Sequence, residues 1–268
     1  MIGSIFIIAY LLLGALVGFM AGLLGVGGGG IMVPIFAMLF AMQGFGNDEI
    51  MHLALGTSMA TIIFTSFSSM RAHRKRGNIE VSMTVKIALG VIVGTFAATF
   101  VASYLKGIYL ALFFSAFMSF VAYKMFQKTH YYNNDKPHGV LGNVLSGTFI
   151  GGISALVSIG GGSLSVPYLM HQNFDIKKAI GTSAAIGFPI ALSGTLGYLV
   201  NGWSHTDWSR FLVGYVYVPA VVLVALSSAF TAHLGVKYAT KLPTDTLKKI
   251  FGILSVLLSL KMLFSVIG

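Results

Sequence analysis

Apolar stretches about as long as a lipid bilayer is thick recur along almost the whole chain. A helix needs about 20 apolar residues to cross a hydrocarbon core about 30 Å thick, and stretches of at least that length follow one another closely. Of the 268 residues, 56% are hydrophobic and 9% are charged, whereas soluble domains carry about 25% charged residues. The sequence therefore predicts an all-α integral membrane protein with the lipid bilayer as its main surroundings.

We predict ten apolar segments, of which two are too short to cross a bilayer. The ten segments are 4–24, 31–42, 50–70, 81–103, 107–126, 139–158, 164–172, 178–200, 210–234 and 246–266. At about 1.5 Å per residue, segment 31–42 makes a helix of roughly 18 Å, and segment 164–172 is shorter still. Residues 1–24 lack the basic start and cleavage pattern of a signal peptide, so they are interpreted as the first membrane segment.

Each short segment follows a run of glycines, and the two runs correspond. Residues 25–34 align with residues 158–167, and the later residues 54–60 align with residues 179–185. Two pairs of motifs in the same order indicate an internal duplication.

The duplication divides the chain into two membrane repeats. We predict a first repeat over residues 1–130, a cytoplasmic linker over 131–138 and a second repeat over 139–268. Each repeat has about five helical segments, and one of the five is a half-helix that follows the glycine run.

The basic residues predict that the two repeats have inverted topology. Lys and Arg favour the cytoplasmic side, and residues 71–76 carry four of them, whereas the corresponding loop of the second half, 201–210, is near neutral. Because the linker and the Lys177–Lys178 pair are also assigned to the cytoplasm, residues 139–172 must enter the membrane and return as a re-entrant hairpin. Transporters with inverted repeats and interrupted helices bind their substrates near the midplane.

The glycine runs predict an anion-binding site at this midplane. Glycine allows positive φ and a close backbone approach, and the unpaired amides and positive dipole end of a half-helix favour an anion. Hydroxyl groups of the two Gly-Thr-Ser stretches, and of Ser163 and Ser165, add hydrogen-bond donors. The predicted substrate-binding residues are Gly27, Gly28, Gly29, Gly30, Thr57, Ser58, Gly160, Gly161, Gly162, Ser163, Thr182 and Ser183.

Two structural roles compete with this interpretation. Glycine runs also serve close packing of membrane helices, and a Ser or Thr within a helix often bonds to a carbonyl one turn earlier. A nucleotide-binding loop is disfavoured, because neither run is followed by the Gly-Lys-Ser/Thr that holds phosphates. No Asp or Glu is predicted at mid-membrane depth, which disfavours cation transport. No metal or other cofactor is expected.

The chain resembles the TauE/SafE family of sulfite and organosulfonate exporters, also called TSUP transporters. The resemblance rests on the duplicated Gly-Gly-Gly…Val-Pro motifs at 27–34 and 160–167, the Gly-Thr-Ser stretches that follow, and the chain length. It implies a multi-pass transporter of a bacterial-type plasma membrane that carries a small sulfur-containing anion such as sulfite, thiosulfate or an organosulfonate. Ser163 stands in the place of Gly30, so the two tips are not identical.

We therefore expect a secondary transporter, not an enzyme, that moves such an anion between the repeats by alternating access. The family resemblance implies that the direction is outward. A gradient, with a proton or another coupling ion, would supply the energy, because the chain has no ATP-binding motif; nucleic acid is not an expected partner. An anion channel lined by the same donors is the nearest alternative. An intramembrane enzyme with a Ser–His233 pair is a more distant one, and the oligomeric state stays open.

Overall fold

The computed structural model describes residues 3–24, 28–127, 139–239 and 244–267. Gly27 and the predicted linker 131–138 lie outside these ranges. The α-helices within them are α1 (Ser4–Leu24), α2 (Gly29–Met42), α3 (Ile50–Arg74), α4 (Val81–Tyr104), α5 (Gly107–Phe126), α6 (Val140–Val157), α7 (Gly162–His171), α8 (Ile176–Asn201), α9 (Val218–Ala239) and α10 (Thr244–Ile267).

The helices confirm the predicted all-α integral membrane protein. Within the described ranges, 7 helices are long and apolar enough to cross a membrane, namely α1, α3, α4, α5, α6, α8 and α9. Helices α2 and α7 have 14 and 10 residues and begin next to the two glycine runs, as predicted for half-helices. Many apolar side chains on the outer faces of the long helices are exposed, which suits contact with lipid,.

The region before α9 differs from the predicted segment 210–234. An antiparallel hairpin of β1 (Leu212–Val213) and β2 (Val216–Tyr217) precedes α9, so the predicted helix begins too early. Gly214 forms the turn with a φ of +55°, a conformation that glycine adopts at little cost. Short apolar strands and the start of an apolar helix have the same hydropathy, which explains the error.

Each half-helix folds back against the helix that precedes it. At the end of α2, Gln43 Nε2 donates a 2.7 Å hydrogen bond to Tyr10 Oη, near the start of α1. At the end of α7, Gln172 Nε2 donates a 2.8 Å hydrogen bond to Asn143 Oδ1, near the start of α6. In both hairpins the chain therefore returns to the side from which it came.

The helices of the two halves pair in a reciprocal pattern. Helix α1 packs along α9, and its counterpart α6 packs along α4. Helix α3 packs against α8, and α5 packs against α10. If each helix of the first half is exchanged with the helix at the same place in the second half, the same four pairs result.

Glycines bring the backbones of the α1–α9 and α4–α6 pairs into contact. On α1, glycines recur every four residues, and a Cβ at Gly18 would collide with the backbone of Ser228 on α9. On α4, a Cβ at Gly90 would collide with the backbone of Val144 on α6. Small residues at such spacing are the usual means by which membrane helices pack, because the hydrophobic effect does not drive association in lipid.

We predict that Gly18→Ala destabilises the fold by about 1–3 kcal/mol, the usual cost of an overpacked interface. The added methyl group meets backbone atoms of α9, so relief requires the two helices to separate. Thermal unfolding in detergent measures the effect as a lower Tm. The control is Gly46→Ala, because nothing lies within 4 Å of a Cβ at Gly46. Equal Tm values for the two variants would contradict close packing of α1 on α9.

Candidate functional site

The two glycine tips meet in the interior of the helix bundle. Gly29, the first residue of α2, lies directly against the carbonyl oxygen of Ser158, the C-cap of α6. A Cβ at the neighbouring Gly30 would lie 3.7 Å from Ile159 Cδ1. All four residues are buried. The structure therefore brings together the ends of two hairpins that are more than 120 residues apart in sequence.

Both half-helices begin in the same backbone conformation. Their N-caps, Gly28 and Gly161, have φ angles of 76° and 81°, in the left-handed region that favours glycine,. In α7 the amide of Leu164 donates to the carbonyl of Gly161 at 3.0 Å. The two preceding amides, those of residues 162 and 163, have no backbone acceptor among the residues that the structure describes. The positive end of α7 therefore presents free donors.

Hydroxyl groups surround the start of α7. Ser163 and Ser165 are 7% and 0% exposed, and neither hydroxyl has a hydrogen-bond partner in the described part of the chain. Ser66 of α3 is also buried and unpartnered there, and its Oγ lies beside Gly187 of α8 together with the carbonyl of Gly160. An unpartnered buried hydroxyl costs about 1–3 kcal/mol, so a cluster of them indicates a place where a polar ligand binds.

Ser66 is absent from the residues predicted from the sequence. The signal available was the run Thr65-Ser66-Phe67-Ser68-Ser69, an unusually polar stretch for a helix that the structure buries on most sides. Sequence alone does not say which of its hydroxyls faces the tips, because a helix has no reference face until its neighbours are known.

The start of α2 is closed by packing. The Cα side of Gly29 lies against the carbonyl oxygen of Ser158. A Cβ at Gly30 would lie 3.2 Å from Met118 Cε, and the residue two positions later is the fully buried Met32. Where α7 has two serines, α2 therefore has a glycine and a methionine. The two tips correspond in backbone conformation but differ in chemistry.

The threonines of the Gly-Thr-Ser stretches hold two loops. Thr57 Oγ1 accepts a 3.0 Å hydrogen bond from the amide of Tyr217, the residue before α9. Thr182 Oγ1 accepts a 3.0 Å hydrogen bond from the amide of Glu80, the residue before α4. Both threonine side chains are fully buried.

The glycine before each threonine leaves room for the backbone of the same loop. Gly56 lies against the carbonyl oxygen of Tyr215, and Gly181 lies against that of Asn78. In each case the loop residue whose carbonyl contacts the glycine lies two positions before the residue whose amide donates to the threonine. Each loop belongs to the opposite half of the chain, so these contacts join the halves.

The structure does not bring the two Gly-Thr-Ser stretches together. Helices α3 and α8 run antiparallel, with Met59 beside Gly194 and Ser66 beside Gly187. In this register the two threonines are roughly 20 Å apart along the helix axes. Ser58 and Ser183, which follow them, are fully buried and have no partner among the described residues. The same register separates the two serines along the helix axes as widely as the threonines.

A groove of about 510 Å³ lies between α4 and α8, apart from the glycine tips. Its lining residues are Ile92, Val93, Phe96, Ala97, Pro189, Leu192, Ser193 and Leu196. The hydroxyl of Ser193 donates a 2.7 Å hydrogen bond to the carbonyl of Ile92. The groove therefore offers an anion no free donor from this side chain, and its apolar lining suits lipid.

Acidic side chains of the described residues lie at helix ends or in loops. Glu49 is the N-cap of α3, and its Oε1 is 2.9 Å from Nδ1 of His205, whose ring stacks on Tyr215. Asp207 accepts hydrogen bonds from the hydroxyl and the amide of Ser209, which hold the pKa of its carboxyl below the ordinary value. No group of three or more His, Asp or Glu residues suited to a metal ion occurs within the described ranges.

Comparison with known proteins identifies the family. The family model described as "Sulfite exporter TauE/SafE" matches residues 10–262. A probable membrane transporter protein of Haemophilus influenzae is 35% identical over 260 residues, which cover 96% of this chain and 98% of the relative.

More distant relatives carry the same description. Probable membrane transporter proteins of Methanocaldococcus jannaschii and Bacillus subtilis are 25% and 26% identical, covering 89% and 93% of this chain and 88% and 97% of the relatives. These names indicate transport rather than catalysis. No solved structure matches the chain.

We predict that Thr57→Val and Thr182→Val each destabilise the protein by about 1–3 kcal/mol, the cost of leaving a buried amide without an acceptor. The changes remove the oxygens that bind the amides of Tyr217 and Glu80. Thr57→Ser and Thr182→Ser keep those oxygens and serve as controls. Thermal unfolding in detergent should give a lower Tm for the valine variants alone. Valine variants as stable as the serine variants would show that the loops are held by other contacts.

Proposed function

Because the chain belongs to the sulfite exporter TauE/SafE family, we propose that it is a secondary transporter of a small sulfur-containing anion such as sulfite, thiosulfate or an organosulfonate. The coarser conclusion, a multi-pass membrane transporter, follows from the family and from the names of the relatives. The substrate class comes from the family description, and the proposed binding site comes from the geometry of the glycine tips.

The proposed architecture is a pair of inverted repeats with two re-entrant hairpins. It is supported by the hydrogen bonds that return α2 to α1 and α7 to α6. The reciprocal pairing of helices supports it as well, because a two-fold relation between the halves requires that every pair have its counterpart. Under this arrangement the loop 71–76, rich in Lys and Arg, lies in the cytoplasm, and the loop 201–210 lies outside.

The observation that carries the proposed site is the set of unpartnered donors at the start of α7. The amides of Gly162 and Ser163 and the hydroxyls of Ser163 and Ser165 all belong to the first four residues of one half-helix, at its positive end. An oxyanion with three oxygens accepts several such hydrogen bonds at once, and these bonds are stronger when the acceptor is charged. Selectivity for an anion then arises from the helix dipole and the donors without a basic side chain.

The proposed mechanism is alternating access by relative motion of the halves. The tips of the two hairpins touch at Gly29 and Ser158, so a shift of one half against the other changes the surroundings of the α7 tip. Each half also holds a loop of the other through Thr57 or Thr182, so the halves are joined at these loops as well as at the tips. Outward transport, the direction implied by the family description, and a coupling ion are parts of this proposal.

We predict that Ser163→Ala and Ser165→Ala each lower the uptake of radiolabelled sulfite into proteoliposomes at least tenfold, as expected when hydrogen bonds of about 1.5–3 kcal/mol to a charged ligand are lost. Neither hydroxyl has a partner in the described part of the chain, so both variants should fold normally. The control is Ser228→Ala, because this buried hydroxyl bonds only within its own helix, to the carbonyl of Ala225.

Unchanged sulfite uptake by well-folded Ser163→Ala and Ser165→Ala would exclude the start of α7 as the binding site. Saturation of uptake, and competition by thiosulfate and sulfoacetate but not by chloride, would support a carrier. A non-saturating flux accompanied by electrical current would instead establish the anion channel as the correct alternative.

A further inference from the structure

One face of α3 carries a line of buried polar groups that no contact in the fold explains. Ser66, Ser69 and His73 occupy positions i, i+3 and i+7, which share one face of a helix. They are 1%, 1% and 4% exposed, and the two hydroxyls and both ring nitrogens have no hydrogen-bond partner among the described residues. The line begins at the level of the α7 tip and ends roughly 10 Å further along the helix axis, at the basic end of α3.

Helix α8 adds a fourth group to the same line. Ser66 lies beside Gly187 of α8, and Ser183 precedes Gly187 by one helical turn on the same face,. Since α3 and α8 run antiparallel, Ser183 lies at the level of Ser69. Its hydroxyl is fully buried and likewise has no partner in the described part of the chain. Buried polar groups are normally satisfied, so these four groups indicate a place that water or a polar ligand reaches.

The α8 positions that correspond to Ser66, Ser69 and His73 carry no buried polar group without a partner. Where α3 has Ser66, Ser69 and His73, the duplication places Ala191, Gly194 and Tyr198 on α8. Gly194 packs against the side chain of Met59, and the hydroxyl of Tyr198 donates a 2.9 Å hydrogen bond to the carbonyl of Ala155. The polar line therefore runs from the tip toward one side of the bundle, the side with the basic loop.

The far end of the line, at His73, lies next to that basic loop. The carbonyl of His73 accepts hydrogen bonds from the amides of Arg76 and Asn78, at 3.1 and 3.2 Å, which fold the loop over the end of α3. Arg76 Nη1 donates a 2.6 Å hydrogen bond to the carbonyl of Val236 on α9. An anion that approaches from this side meets positive charge first and hydroxyl donors next.

We propose that Ser66, Ser69, Ser183 and His73 line the passage through which the anion moves between the α7 tip and the cytoplasmic face. This inference rests on the proposed function and assigns it a route. In the structure the passage is closed, because all four side chains are buried. A motion that widens the space beside Ser66, Ser69 and His73 admits water to the four groups, and they then replace part of the hydration shell of the anion.

The chain has no cysteine, so single cysteine variants of the natural sequence test the passage without background. The reagent is the anionic thiol reagent 2-sulfonatoethyl methanethiosulfonate, applied to the full-length protein in inside-out and in right-side-out membrane vesicles. The passage variants are Ser66→Cys, Ser69→Cys and Ser183→Cys. The matched control is Ala191→Cys, at the α8 position that corresponds to Ser66 and is equally buried. Ser204→Cys, in the exposed loop after α8, reports the orientation of the vesicles.

We expect the passage variants to react from the cytoplasmic side at least about tenfold faster than Ala191→Cys, because water access controls thiol reactivity. They should not react from the other side, where Ser204→Cys does. Passage variants that react no faster than Ala191→Cys would overturn the inference and leave the four groups as interface residues.

Protection of the cysteines from labelling by added anions distinguishes a failure of the passage from a failure of the proposed function. Sulfoacetate should slow the labelling of Ser66→Cys at least severalfold, because this position lies beside the tip. Cytoplasmic labelling that sulfoacetate, thiosulfate and sulfate all leave unchanged would keep the passage but contradict the proposed substrate class. Normal elution of each variant in size-exclusion chromatography confirms that the labelled protein is folded.

Discussion

Helix starts buried inside the bundle govern this structure, because apolar surroundings offer no partner for the amides that a helix start leaves free. The fold contains two such starts, at α2 and α7, and both follow a glycine with positive φ. The long helices bury them: glycine contacts between α1 and α9, and between α4 and α6, hold each hairpin inside the bundle. At α2 the carbonyl oxygen of Ser158 lies against Gly29, and the residues that correspond to Ser163 and Ser165 are Gly30 and Met32, which have no hydroxyl. At α7 the corresponding space is lined by hydroxyls, which makes this half-helix the candidate for binding.

The duplicated motifs therefore have two different tasks. The glycine tips meet at the centre, where the halves of the chain touch, and the Gly-Thr pairs lie roughly 20 Å apart along the helix axes and fasten the loops before α4 and α9,. A transporter that works by relative motion of its halves needs both a site that the motion affects and contacts that keep the halves in register. The polar line on α3 fits the same scheme, since it runs from the proposed site toward the side of the bundle that carries the basic loop.

The all-α membrane fold and the half-helices could be predicted because hydropathy and segment length determine them directly. The glycine tips could be predicted because the duplication repeats them, and the structure places Gly28, Gly29, Gly161 and Gly162 at the two helix starts. The roles of Thr57 and Thr182 could not, because their partners lie more than 100 residues away in loops that carry no signature. Ser66 escaped notice for a related reason: the face of α3 that meets the tips depends on the packing of α8. The hairpin before α9 was missed because its strands are as apolar as a helix.

We propose that the start of α7, and not the start of α2, binds the anion. Selenite, the heavier analogue of sulfite, tests this most directly through the anomalous scattering of selenium in crystals grown with this anion. We expect one strong anomalous peak within hydrogen-bonding distance of the hydroxyls of Ser163 and Ser165. A peak of equal height at Gly29 and Gly30, or a peak at neither tip, would contradict it.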